Sequence, residues 1–114
     1  MSWRLFLDDV RDVDWIYPDE DPISYVVCRS YQAAVASCAE RGCPSFVSFD
    51  HDLGEDTPTG MDFARWMVEQ DLDANFFPQE FTWKVHSANP IGAANIEGLL
   101  GNYFHTKKNW NPVS

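Results

Sequence analysis

The sequence predicts an α/β domain, a three-layer sandwich in which a mainly parallel, four-stranded sheet lies between helices. Four short apolar runs, rich in β-branched and aromatic residues, alternate with segments of helical periodicity. The helical segments are about 11 to 15 residues long, which suits the crossover connections between parallel strands. An apolar fraction of 45% in 114 residues is typical of a single packed domain and argues against a disordered chain.

The first quarter of the chain contains two predicted strands and a loop. Residues 3–7 form an apolar run that indicates a buried strand and ends at Asp8 and Asp9. Residues 10–24 contain two prolines and many acids without helical periodicity, so we expect a long loop there. The β-branched run at residues 25–28 predicts the second strand.

A helix is predicted from Ser30, a suitable N-cap, to about Glu40. Arg41 places a cation in its last turn, and Gly42 favours termination. The apolar face of this helix consists of side chains at i, i+3, i+4 and i+7, namely Tyr31, Ala34, Val35 and Cys38.

Residues 45–49 predict the third strand, and a loop then leads to a helix at about residues 61–71. The inward side chains of that helix are Met61, Ala64, Met67 and Val68. Residues 81–85 predict the fourth strand.

The last helix begins at Asn89, which is expected to cap it, with Pro90 in the first helical position. Its apolar stripe consists of Ile96, Leu99, Leu100, Tyr103 and Phe104. We expect residues 1–106 to form the domain and residues 107–114 to form a polar C-terminal tail, in which Trp110 is able to dock.

Composition excludes several classes of partner. The net charge of −10 disfavours binding to duplex DNA, because Lys and Arg contacts to phosphates supply most of that affinity. No apolar run approaches the roughly 20 residues of a membrane span, and no secretion signal is recognisable, so we expect a cytoplasmic protein without a membrane partner. The three cysteines match no zinc spacing and are expected to be inert thiols. The oligomeric state is left open.

Three of the four predicted strands end in polar residues that are able to bind or react. Strand one leads to Asp8 and Asp9, strand three to the Asp50-His51-Asp52 motif, and strand four to His86-Ser87-Ala88-Asn89. Ligands of open α/β sheets bind beyond the carboxyl ends of the strands, so these three groups are expected to converge if their strands are neighbours.

The acids of these groups indicate a cation site. Carboxylates a few ångströms apart repel one another and stay ionised when a cation lies between them. Oxygen ligands without a thiolate favour Mg²⁺ or Mn²⁺, although His51 and His86 keep Zn²⁺ among the candidates. Asn89, at a helix N-terminus, and Arg11 are candidates for binding an anion at the same site.

The stretches "LFLDDVRD", "SFDHDLG" followed by "TG", and "VHSANPIG" resemble the cyclic-phosphate-processing receiver family, an offshoot of response-regulator receivers that is linked to RNA repair and conflict systems. The resemblance extends from Leu5 to about Tyr103. It implies a truncated, divergent receiver fold of flavodoxin-like type, with strand order 2-1-3-4.

The resemblance also implies roles for individual residues. Asp8 and Asp9 match the acidic pair that holds Mg²⁺. Asp50 matches the carboxylate that binds metal and accepts a phosphoryl group, and Asp52 occupies the position whose backbone carbonyl completes the metal shell. Ser87 matches the hydroxyl residue that contacts phosphoryl oxygens.

The chain also departs from ordinary receivers. His51, His86, Asn89 and Arg11 belong to the narrower family, and the fifth strand with its phosphate-binding Lys is missing. Gaining two histidines while losing that Lys favours chemistry on a bound phosphoester, with histidine as general acid or base.

The sequence therefore favours a phosphoesterase that uses Mg²⁺ or Mn²⁺ and acts on, or binds, a cyclic phosphate. The substrate would be a small phosphorylated molecule such as a cyclic nucleotide, or a 2′,3′-cyclic end of RNA. Asp50, His86 and His51 are the catalytic candidates, and Asp50 is favoured as a metal ligand over a covalent nucleophile. Two alternatives remain open: a non-catalytic receiver-like binding or regulatory module, and an acidic inhibitor that mimics nucleic acid.

Overall fold

Four parallel strands form one sheet in the order β2-β1-β3-β4 in the computed structural model, which describes residues 2–109. Every neighbouring pair is parallel. The strands are β1 (Arg4–Leu7), β2 (Tyr25–Cys28), β3 (Phe46–Phe49) and β4 (Thr82–Val85). The predicted fold class and strand order are confirmed, and three of the strands begin one residue later than expected.

The helices are α1 (Val13–Ile16), α2 (Tyr31–Arg41), α3 (Gly60–Ala74) and α4 (Pro90–Asn109), with a 3₁₀ turn at Pro22–Ser24. The prediction that residues 10–24 form a loop without helix is therefore wrong for α1 and for the 3₁₀ turn. Each of these elements is about one turn long, which is too short to produce a helical repeat of apolar residues.

The predicted caps at both ends of α2 and at the start of α4 are confirmed. The hydroxyl of Ser30 accepts from the amide of Ala33, and Gly42 ends α2 with a φ of +83°. Asn89 caps α4, because its Oδ1 accepts from the amide of Gly92 at 3.0 Å.

Both later helices extend further than expected. Helix α3 continues to Ala74, and α4 continues to Asn109, so it includes the first three residues of the predicted tail. Trp110 and the rest of that tail lie outside the described residues.

The two faces of the sheet are covered unequally. On one face, Leu5, Leu7, Val47 and Phe49 pack in the main core, whose remaining members come largely from α2, α3 and α4. On the other face, a smaller cluster is built from Phe6, Val13 and Tyr25, with Ile16, Tyr17 and Phe46 packed against it. Helix α1 and the chain around it therefore form the second covering layer, where no long helix lies within residues 2–109.

A buried carboxylate joins the two longest helices. The side chain of Asp71 in α3 accepts from the hydroxyl of Tyr103 and from Lys107 Nζ at 2.7 Å, both in α4. Its other oxygen accepts from the amide of Phe77 at 2.8 Å. These bonds fix α4 against α3 and against the chain that leads into β4.

The three cysteines are free thiols, as expected. Burial raises the pKa of Cys38 to about 12 and also raises the pKa of Cys28. None of the helices within residues 2–109 has the length and apolar character needed to cross a bilayer.

Candidate functional site

The backbone ladder of the sheet continues one residue past the strands and aligns three site residues. The amide of Asp8 donates to Cys28, that of Asp50 donates to Leu7, and that of His86 donates to Phe49 at 2.9 Å. The residues that follow β1, β3 and β4 are therefore held side by side at the carboxyl edge of the sheet.

Three acids gather at this edge. Ligand atoms of Asp8, Asp9 and Asp50 all lie within 4.8 Å of one another, and Asp8 and Asp50 are buried. Such a group of oxygen donors without sulfur fits Mg²⁺ or Mn²⁺. These three acids meet at strand ends.

Asp8 is surrounded by hydrogen-bond donors. Its Oδ1 accepts from the amides of Val10 at 3.0 Å and Arg11 at 2.8 Å. Its Oδ2 accepts from Arg11 Nε at 2.8 Å and faces His86 Nε2 at 3.0 Å. Burial alone would raise the pKa of Asp8, but these donors and the charge of Arg11 hold that pKa below its ordinary value.

Asp50 has an environment of the opposite kind. Burial and the nearby charge of Asp8 raise its pKa, despite opposing contributions from Arg11 and the Ser87 hydroxyl. Arg11 Nη2 lies 3.4 Å from Asp50 Oδ1, so one guanidinium contacts two of the three acids. A divalent cation among the acids would relieve the remaining repulsion.

His86 lies inside the protein rather than at its surface. Its side chain is only 4% exposed and stacks on the ring of Phe6, with 4.7 Å between ring centroids. Its Nδ1 lies 2.6 Å from Ser48 Oγ, and its Nε2 faces Asp8. Burial, which outweighs the attraction of Asp8, holds the pKa of His86 below its ordinary value.

The contacts from Ser48 to His86 and from His86 to Asp8 resemble those of a hydrolase triad, but Ser48 is not placed to attack a substrate. It is fully buried on β3, and its hydroxyl also bonds to the Tyr17 hydroxyl at 2.7 Å. A nucleophile must reach the reacting atom, so these contacts belong to the internal support of Asp8.

His51 follows Asp50 in the sequence, and its ring has different partners from that of His86. Its Nδ1 lies 2.9 Å from Asp52 Oδ1, and Asp52 Oδ2 accepts from Asn89 Nδ2 at 3.3 Å. The pKa of Asp52 is lowered, chiefly because His51 donates to it. Within residues 2–109, this is the hydrogen bond that the His51 ring makes, which leaves Nε2 available.

Asp52 therefore lies outside the acid cluster and uses both side-chain oxygens on His51 and Asn89. The proposed role of its backbone carbonyl in a metal shell remains a prediction. Of the other predicted site residues, Asp9 and Arg11 lie on the loop of Asp8. Ser87 and Asn89 lie on the loop of His86.

The N-terminus of α4 completes the site. Ser87 Oγ accepts from the amide of Asn89 at 3.0 Å and contacts Asp50 through its hydroxyl. The ring of His51 packs on Gly92, where an added Cβ would lie 2.4 Å from Cγ of the ring. These contacts place Asp50, His51 and Ser87 against the positive end of the helix, which favours anions.

Close packing also fixes the loop that carries Asp50 and His51. A Cβ on Gly60 would lie 1.9 Å from the carbonyl oxygen of Asp50, and the amide of Gly60 donates to His51. Only glycine allows α3 to begin this close to the loop.

The sequence interpretation missed three supporting residues. Arg29 donates to the carbonyls of Asp8 at 3.3 Å and Arg11 at 2.6 Å, and it also pairs with Asp12. Tyr17 and Ser48 support His86 from the second face of the sheet. A serine inside the apolar strand "FVSF" was the one visible signal, because a buried hydroxyl requires partners.

Comparison with known proteins gives one match. A family model described as the cyclic-phosphate processing receiver domain matches residues 3–102 of the chain. Searches of curated proteins and of solved structures each gave no significant match.

Proposed function

The chain belongs to the family of cyclic-phosphate processing receiver domains, and from this premise we propose that it is a metal-dependent phosphoesterase that hydrolyses a cyclic phosphate. The substrate class is a 2′,3′-cyclic end of RNA or a cyclic nucleotide, and the cofactor is Mg²⁺ or Mn²⁺. The observation that carries the proposal is the meeting of Asp8, Asp9 and Asp50 at the carboxyl edge of the sheet. The residue after Asp50 is His51, whose Nδ1 is engaged by Asp52.

The three acids would hold the metal ion, which supplies charge to polarise a phosphoryl oxygen. The charge balance supports this assignment. Asp8, Asp9 and Asp50 bring three carboxyl groups together, and Arg11 offsets only part of their repulsion, because the pKa of Asp50 remains raised.

His51 is the better placed of the two histidines for proton transfer. The carboxylate of Asp52 fixes Nδ1 as the protonated nitrogen, so Nε2 presents a lone pair. In the proposed reaction, Nε2 takes a proton from the attacking water as a P–O bond forms. The ester P–O bond opposite it breaks, and the departing sugar oxygen takes up a proton from solvent water, while His51 later returns its own proton to solvent.

His86, the other catalytic candidate from the sequence, has both ring nitrogens engaged and a buried ring. We assign it to positioning Asp8. This division of roles predicts that replacing His51 impairs turnover, whereas replacing His86 impairs metal binding through Asp8.

Ser87, Arg11 and the N-terminus of α4 would bind the phosphoryl oxygens. The guanidinium of Arg11 uses Nε and Nη2 on the acids, and the side chain is 24% exposed, so further N–H groups remain for an anion. The capping role of Asn89 keeps the first turn of α4 in place beside His51 and Ser87.

Turnover of 2′,3′-cyclic AMP with Mn²⁺ tests this function directly. His51→Gln should lower kcat by about 100-fold or more with little change in Mn²⁺ affinity, because general acid–base groups contribute factors of this order. Asp9→Asn should lower Mn²⁺ affinity instead. Metal binding without turnover of any cyclic phosphate would reject the enzyme and leave a binding module.

A regulatory receiver-like module is the second candidate, supported by the contact of Asp50 with the Ser87 hydroxyl. In residues 2–109, Arg11 is the cation that contacts Asp50, whereas Lys107 binds Asp71 and Lys84 lies over the Tyr17 ring. Incubation with acetyl phosphate and Mg²⁺ separates the two candidates. A stable mass increase on Asp50 would favour the module.

A further inference from the structure

We propose that Tyr17, Ser48 and His86 form a one-directional hydrogen-bond chain that holds the carboxylate of Asp8 in its metal-binding orientation. This inference rests on the proposed function, in which Asp8 is a metal ligand, and it assigns positioning roles to residues that contact neither metal nor substrate. Among the residues that the structure describes, Tyr17 and Ser48 are connected to Asp8 through His86.

The direction of the chain follows from its last member. An ionised carboxylate only accepts hydrogen bonds, so Asp8 Oδ2 requires a proton on His86 Nε2. The neutral ring then has a lone pair on Nδ1, which requires that Ser48 donate its hydroxyl proton. Ser48 Oγ is left to accept from the hydroxyl of Tyr17. Each group has one arrangement that satisfies all three contacts.

Burial makes this arrangement costly to disturb. Ser48 and Asp8 are fully buried, and the ring of His86 lies flat against Phe6 with an interplanar angle of 2°. A buried polar group that loses its hydrogen-bond partner pays the full cost of leaving water, so alternatives with an unpaired Nδ1 or hydroxyl are disfavoured. The chain thus keeps the His86 ring at one angle.

The fold does not require a polar residue at position 48. The neighbouring residues in register are Phe6 on β1 and Lys84 on β4, and Phe6 fills the same layer with an apolar ring. A valine at position 48 would suit a strand whose other residues are apolar. The serine is explained by its two hydrogen bonds, one to Tyr17 and one to His86.

The hydrogen-bond chain also links the acid cluster to α1 and the residues around it, which cover the second face of the sheet. Tyr17 follows α1, and its ring packs against Phe6 and Tyr25. The segment around α1, where the structure differs from the predicted loop, thereby supplies the first donor of the hydrogen-bond chain. Removing that hydroxyl should loosen Asp8 without removing any group that touches it.

The test uses two variants and a matched control. Ser48→Ala and Tyr17→Phe each remove one hydroxyl of the chain. Tyr25→Phe removes a hydroxyl that donates to Glu20, from a ring that packs on the same Phe6 at 6.2 Å. Mn²⁺ affinity is measured by calorimetry, and nitrogen NMR of the metal-free protein reports which nitrogen of His86 carries the proton.

We expect wild-type His86 to be protonated on Nε2 and not on Nδ1. Ser48→Ala should weaken Mn²⁺ binding about 10-fold, the range seen for groups that orient metal ligands, and Tyr17→Phe should weaken it severalfold. Both should shift the Nδ1 resonance of His86. Tyr25→Phe should change neither the affinity nor that resonance, although it removes a hydrogen bond.

A proton on Nδ1 in the wild type would overturn the inference, because Ser48 would then accept rather than donate. An equal loss of Mn²⁺ affinity in Tyr25→Phe, or no loss in Ser48→Ala, would overturn it too. If wild-type protein binds no Mn²⁺, the proposed function fails, and the NMR signals of the metal-free variants still decide whether the chain exists.

Discussion

Asp8 and Asp50 follow neighbouring strands and share the guanidinium of Arg11, yet their carboxyl pKa values shift in opposite directions. Burial raises the pKa of both. At Asp8, the hydrogen-bond donors lower the pKa by more than burial raises it. At Asp50, repulsion from Asp8 and Asp9 adds to the effect of burial, and Arg11 and Ser87 do not offset the sum. One acid is therefore stabilised as an anion by the protein, and the other is the acid that gains most from an added cation.

This difference predicts opposite effects of two matched substitutions in metal-free protein. At pH 7, Asp50→Asn should raise the stability by about 1 kcal/mol, because it removes a carboxylate whose ionised form the fold disfavours. Asp8→Asn should lower the stability by about 1–3 kcal/mol, because it disrupts buried charge-assisted hydrogen bonds. Urea unfolding in EDTA measures both.

The two effects also depend on pH with opposite signs. A raised folded-state pKa means that Asp50 favours the fold below its unfolded pKa and that this contribution is lost as pH rises through the folded pKa. A lowered pKa means that the contribution of Asp8 is present above its unfolded pKa and is lost as pH falls. The same sign of effect in both variants at pH 7 would contradict the account.

Asp71 should dominate the stability of the interface between α3 and α4. Asp71→Asn should destabilise the protein by about 2–4 kcal/mol at pH 7, because Lys107 and Tyr103 lose a buried ionic partner. Its pKa is lowered despite burial, which alone would raise it, because Lys107, Tyr103 and the Phe77 amide donate to it. The contribution of Asp71 to the free energy of unfolding should therefore be lost as pH falls below about 4, where unfolded aspartate takes up protons.

Asp73→Asn is the matched control for that substitution. Asp73 lies on the same helix and is exposed, so its substitution should change the free energy of unfolding by less than about 0.5 kcal/mol. Chemical unfolding at pH 7 and pH 3 compares the variants. Equal destabilisation by the two substitutions would show that Asp71 has no special structural role.

Two glycines of α4 offer a test of the position of His51. Gly92→Ala should displace the imidazole, because the new Cβ would lie 2.4 Å from Cγ of His51, and turnover should fall at least 10-fold. The Cβ of Gly98→Ala would meet nothing within 4 Å among residues 2–109, so this change should stabilise the helix by about 0.5–1 kcal/mol with unchanged turnover. Normal kinetics in Gly92→Ala would argue that His51 takes no part in the reaction.

Arg29 should control the order of the loop that carries Asp8, Asp9 and Arg11. Arg29→Gln removes donors to two loop carbonyls, so the amides of Val10 and Arg11 should exchange with deuterium about 10-fold faster, and Mn²⁺ affinity should fall severalfold. Arg65→Gln, which loses an exposed 3.7 Å pair with Asp62, is the control. Unchanged exchange in Arg29→Gln would refute this role.

The sequence was informative wherever a local pattern determines the structure. Short apolar runs identified all four strands, and capping residues such as Ser30 and Asn89 identified helix starts. The polar residues at strand ends also indicated the acid cluster, because parallel strands bring their carboxyl ends to one edge.

The sequence was uninformative where a role depends on a distant partner. Asp71 has the spacing of an ordinary helix residue, and its partners Tyr103 and Lys107 come from another helix. The histidines His51 and His86 looked equivalent in the sequence, and only tertiary packing buries one and leaves a nitrogen of the other available.

The most direct test of the account measures thermal stability during titration with Mg²⁺ and Mn²⁺. Binding to the folded protein should stabilise the wild type by about 2.7 kcal/mol at 100 times Kd, and Asp19→Asn, which removes an exposed acid outside the cluster, should respond alike. Asp50→Asn should show no such response relative to its own metal-free state. The absence of a shift in the wild type with either ion, or an equal shift in Asp50→Asn, would contradict a metal site at Asp8, Asp9 and Asp50.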